Sequence, residues 1–107
     1  MPLGNAVQGA QHTAQRVTWT GWDLSSGTLS GRMVEVGSGA LSFKGDSRDI
    51  DGTFTLVDSG SGGQFDWTYG TNDVADDGDF YVQFKNLHGD STYDLSYITT
   101  FKVSKAI

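Results

Sequence analysis

The chain has no cysteine among its 107 residues. That excludes disulfide staples, thiolate nucleophiles and Cys-ligated zinc. Basic residues are scarce, 7 against 13 acidic ones, and the formal net charge is −6. Arg16, Arg32, Lys44, Arg48, Lys85, Lys102 and Lys105 are scattered, so no basic stripe exists to follow a phosphate backbone. Nucleic acid is therefore not an expected partner, and neither is an anionic membrane surface. No apolar run approaches the ~18 residues that a membrane span needs. Residues 1–15 lack the basic and apolar regions of a signal peptide, so the expectation is a soluble protein made in the cytoplasm.

Glycine and aromatic residues are abundant: 15 Gly, three Trp, four Tyr and six Phe. A thin, aromatic-weighted core between many turns is the signature of an all-β domain, and the length suits one such domain. The dominant period is two. Phe80, Val82 and Phe84 alternate with Tyr81, Gln83 and Lys85; Phe65, Trp67 and Tyr69 alternate with Asp66 and Thr68. Phe54 and Leu56 alternate with threonines, Val17 and Trp19 with Arg16 and Thr18, and Leu29–Val36 and Leu41–Lys44 add two less regular runs. The last run, Tyr93 to Val103, reads as one long strand with Tyr93, Leu95, Tyr97, Phe101 and Val103 inward. Ile98 is its single exception, an apolar residue on the polar face. Gly-, Asp- and Ser-rich turns separate the runs, among them Asp58-Ser59-Gly60-Ser61-Gly62.

These runs predict an immunoglobulin-like antiparallel β-sandwich of about seven to nine strands over residues 15–107, with no helix beyond a turn near Asn72 to Asp76, where Asn72 is a candidate cap. Residues 1–14 are expected to be a weakly ordered or edge-bound arm. The predicted core is Phe54, Leu56, Trp67, Phe80, Val82, Phe84, Leu95 and Phe101.

No constellation for catalysis is expected. His12 and His88 are the only histidines and lie in the arm and in a turn; Ser38 and Ser61 lack nucleophile-elbow spacing; Gly60-Ser61-Gly62-Gly63 lacks the lysine of a phosphate loop. The acidic run Asp73, Asp76, Asp77 and Asp79 has oxygens for calcium but neither the EF-hand spacing nor its terminal Glu, so a strand-ending turn is preferred. No metal and no cofactor are expected. Three residues are candidate interface contacts: Trp22, which is off the parity of Trp19, then Tyr81, and Ile98.

Four segments, read in order, carry a resemblance. They are Arg16-Val17-Thr18-Trp19-Thr20, Gly27-Thr28-Leu29-Ser30-Gly31-Arg32-Met33, Gly52 to Trp67, and Asp73-Val74-Ala75-Asp76-Asp77-Gly78-Asp79-Phe80-Tyr81-Val82-Gln83-Phe84. Over residues 15–104 the chain resembles the N-terminal domain of phage baseplate upper proteins and related immunoglobulin-like phage structural domains. The last segment looks like an E–F corner in which Phe80 stands for the usual Tyr and Val82 for the usual Cys. The resemblance implies a non-enzymatic virion component of a phage or prophage, in a baseplate, tail or connector, that docks other virion structural proteins as a homo- or hetero-oligomer. The alternative carried beside it is an immunoglobulin-like recognition module for a carbohydrate or cell-surface partner, assisted by calcium.

Overall fold

The computed structural model describes residues 3–36 and 48–106; the expected run at Leu41–Lys44 lies outside them. The chain is an all-β sandwich. Its strands are β1 (Ala6–Val7), β2 (Ala14–Thr18), β3 (Gly27–Glu35), β4 (Arg48–Asp49), β5 (Thr53–Leu56), β6 (Gln64–Thr68), β7 (Gly78–His88), β8 (Tyr93–Leu95) and β9 (Thr99–Ser104). The larger sheet runs β1-β9-β7-β3-β4, with β8 also on β7; the smaller runs β2-β6-β5. All pairings are antiparallel except β1 on β9, where Ala6 lies opposite Val103. The arm is thus laid along the sheet edge, with Ala6 buried and Leu3 packed on the core.

Alternation decides which side chains meet between the sheets. From the smaller sheet come Val17, Phe65 and Trp67; from the larger come Met33, Phe80, Val82, Phe84, Phe101 and Val103. The rings pack mostly edge-on: Phe65 lies 5.2 Å from Phe84, and Trp67 lies 4.9 Å from Tyr69 and 4.7 Å from Phe101. Such pairs add stabilisation beyond their buried area. Phe54 and Leu56, on the edge strand β5, are only half-buried against this core.

The expected helical turn is a 3-10 turn at Asn72–Val74, but Thr71 and not Asn72 occupies the cap position. Asp73 in this turn is fully buried and organises the corner. Its Oδ1 accepts from the Asp51 N–H at 2.8 Å. Its Oδ2 accepts from the N–H groups of Gly52 and Gly70, each at 2.9 Å, and from the Trp67 indole at 3.3 Å. Arg48 Nη1 approaches Oδ1 at 3.9 Å. One carboxylate thereby ties the β4–β5 turn, the end of β6 and the core tryptophan to the corner that feeds β7.

The expected single strand from Tyr93 to Val103 is two strands, β8 and β9, in opposite phase. Leu95 lies opposite Lys85, and Thr99 opposite Val82. Between these pairs β7 has two residues, Gln83 and Phe84, whereas the other side has three, Ser96, Tyr97 and Ile98. The extra residue is a β-bulge, and it reverses the parity of everything before it. Tyr93, Leu95 and Tyr97, expected inside, are therefore exposed, with Leu95 49 % accessible, while Phe101 and Val103 remain buried. Ser96 holds the bulge. Its N–H donates to the Phe84 carbonyl at 2.9 Å, and its buried hydroxyl accepts from the Phe84 N–H at 2.9 Å. Gln83 Nε2 donates to the Ser96 carbonyl. Ser96→Ala would orphan the buried Phe84 N–H, and a loss of about 1–3 kcal/mol is expected in urea denaturation; an unchanged midpoint would show that water replaces the hydroxyl.

Candidate docking edge

The two outer faces differ in chemistry. On the smaller sheet the outward residues of β5 and β6 are Thr53, Thr55, Gln64, Asp66 and Thr68. Arg16, on β2, donates from Nε to Asp66 at 2.8 Å, and this bond holds the Asp66 carboxyl below the usual carboxylate range. Nothing large and apolar is exposed there. The exposed large hydrophobics among the described residues are Val7, Trp22, Val36, Leu87, Tyr93, Leu95, Tyr97 and Ile98. All of them belong to the larger sheet, its flanking turns, or the β2–β3 connection.

They concentrate at β8. Tyr93 lies opposite Leu87, so both project outward. Lys85, next along that face, places its ammonium 4.5 Å from the Tyr93 ring centroid, a cation–π distance. The β7–β8 turn is pinned on both sides. His88 Nε2 lies 2.7 Å from Asp94 Oδ2, and Asp90 accepts from the N–H and hydroxyl of Thr92, bonds that lower its carboxyl pKa. The strip therefore sits on a rigid hairpin.

At the bulge the strip meets a cleft of about 170 Å³ formed by Trp19, Thr20, Trp22 and Tyr97. Trp22 leans on buried Trp19 with ring centroids 5.8 Å apart. The β5–β6 turn props this loop from below, since the Gly63 carbonyl accepts from the Trp19 N–H at 2.7 Å. Gly63 has φ +73°, and a Cβ there would stand 2.2 Å from the Trp19 carbonyl oxygen, so the position admits only glycine. A larger groove of about 670 Å³ runs between β3 and β5 past Leu29, Ile50 and Phe54. It borders β4, which residues 37–47 precede.

Of the three candidate contacts, Trp22 lines the cleft and Ile98 projects from the bulge. Tyr81 lies on the outer face between Val34 and Thr100 and is half-buried. Tyr93, Leu95 and Tyr97 escaped sequence reasoning because one uninterrupted period was assumed across the bulge. The adjacent apolar pair Tyr97-Ile98, which breaks the alternation, was the signal for it.

The acidic run does not converge. Asp73 is turned inward onto nitrogen donors, while Asp76, Asp77 and Asp79 are exposed. Among the described residues no three His, Asp or Glu side chains group as metal ligands. None of the described helices is long and apolar enough to cross a membrane. No protein-family model matches the chain, and no curated protein or solved structure matches it either.

Proposed function

We propose that this chain is a non-enzymatic docking module of a phage or prophage particle, binding a protein neighbour through the β8 end of its larger sheet. The observation that carries the reading is that, among the described residues, the exposed large apolar side chains lie on that sheet, its flanking turns or the β2–β3 connection, with none on the strands of the smaller sheet. Contiguous apolar exposure of this kind marks interaction surfaces. The strand order supports the immunoglobulin-like part of the reading. In such sandwiches, strands B, E and D face strands G, F and C. Here β2, β6 and β5 face β9, β7 and β3 in the matching chain order. The resemblance of residues 15–104 to baseplate domains supplies the virion setting, and repeated copies in a particle make weak individual contacts sufficient.

A carbohydrate-recognition reading, with or without calcium, draws on the same exposed rings of Trp22 and Tyr97. The cleft's side-chain hydroxyls are those of Thr20 and Tyr97 alone, which is few groups for orienting a sugar. The test is incorporation. Particles purified from the source should contain the chain by mass spectrometry, and the double variant Tyr93→Lys, Leu95→Lys should be depleted at least tenfold while keeping the wild-type melting temperature. Normal incorporation of that variant contradicts the reading. Glycan binding that is lost on Trp22→Ala, in a chain absent from particles, establishes the alternative.

A further inference from the structure

We infer that the partner docks as an extended strand on the free outer edge of β8, with one aliphatic side chain seated in the Trp19–Trp22–Tyr97 cleft and a carboxylate facing Lys85. The inference rests on the reading above that the β8 end is the docking surface. Three observations select this occupant. First, β8 and β9 lie in succession along the same edge of β7, and the arm strand β1 covers only the β9 part, at Val103 and Ser104. No strand among the described residues pairs with the outer edge of β8. Its backbone groups are a template for another strand, and strand addition uses such edges.

Second, the cleft holds about 170 Å³. That is below the ~300–1,000 Å³ of small-molecule sites and suits a single side chain. Its walls are aromatic, so an aliphatic or proline side chain is matched where a charged one is not. Tyr97 belongs to both the strip and the cleft, and successive outward residues of a strand stand about 6.6 Å apart. A strand on β8 therefore reaches the cleft without a turn. Third, Lys85 sits over Tyr93 at the other end of β8 and makes no salt bridge with any of the described residues. A carboxylate on the incoming strand completes that end. The two ends fix direction and register together, which an apolar strip alone does not.

The probe is a set of blocked hexapeptides of alternating Thr and Val, with one central Leu and one terminal Glu, titrated into the ¹⁵N-labelled full chain. The expected result is shifts confined to amides 93–98 and the Trp22 indole at about 1 mM peptide. Replacing the peptide's Leu by Ala, or making Trp22→Ala or Tyr97→Ala in the protein, should weaken binding at least tenfold. N-methylation of the edge-facing peptide amides should abolish it. Equal binding by the N-methylated peptide overturns strand addition. So does the absence of shifts at residues 93–98 with every peptide, or shifts confined to the free edge of β5. Each of these leaves the incorporation result in particles standing, so failure here is separable from failure of the docking reading.

Discussion

Asp73→Ala is expected to cost about 3–5 kcal/mol, a large share of the ~5–15 kcal/mol that holds a domain together. The carboxylate is fully buried and accepts from three backbone N–H groups and the Trp67 indole. Removing it leaves four donors without an acceptor, and an unsatisfied buried donor costs more than a made bond contributes. The space is too enclosed for water to serve all four: a Cβ on Gly52 or Gly70 would meet neighbouring atoms within 2.0–2.8 Å. Asp73→Asn should cost less, because an amide keeps one oxygen acceptor while turning one NH₂ toward a donor. Urea denaturation of the three proteins checks the ranking. A near-neutral Ala variant would show that the corner is held by packing and not by the carboxylate.

Trp67→Ala is expected to be of similar size, about 3–5 kcal/mol, from lost burial plus the cavity left behind. Trp67 is fully buried, touches Tyr69, Phe84 and Phe101, and bridges the smaller sheet to the larger one. Its deletion also frees one bond of Asp73. The two sites share that bond, so the double variant Asp73→Ala, Trp67→Ala should fall short of additivity. Melting and denaturant midpoints of the single and double variants test both statements, and full additivity would mean that the indole–carboxylate contact carries no coupling.

Period-2 reading located β6 and β7 because each alternates cleanly and buries one face. Trp67, Phe80, Val82, Phe84 and Phe101 lie in the core for that reason. The same reading failed at Leu95, since a bulge adds one residue to one strand and inverts every assignment beyond it. The docking strip was hidden by this inversion: its residues carry the same apolar letters as a core strand, and only the Tyr97-Ile98 pair betrays the slip. The burial of Asp73 within the expected turn was not legible for a different reason. One carboxylate among four reads as solvent-facing, and its burial depends on donors from Asp51, Gly52 and Gly70, which are remote in sequence or carried by backbone. Trp22 was legible as an outlier of parity, but its partner Tyr97 lies 75 positions away, and no local pattern joins them.

The most direct test of the docking account is hydrogen exchange on the chain in two states, isolated and within the particle or native complex purified from the source. The account predicts that the amides of residues 93–98, apart from the Ser96 N–H already bonded to Phe84, exchange in the free chain and are protected in the assembly, with the Thr53–Leu56 edge and the outer face of β6 unchanged. Unaltered exchange at 93–98, with new protection on the smaller sheet, would contradict it.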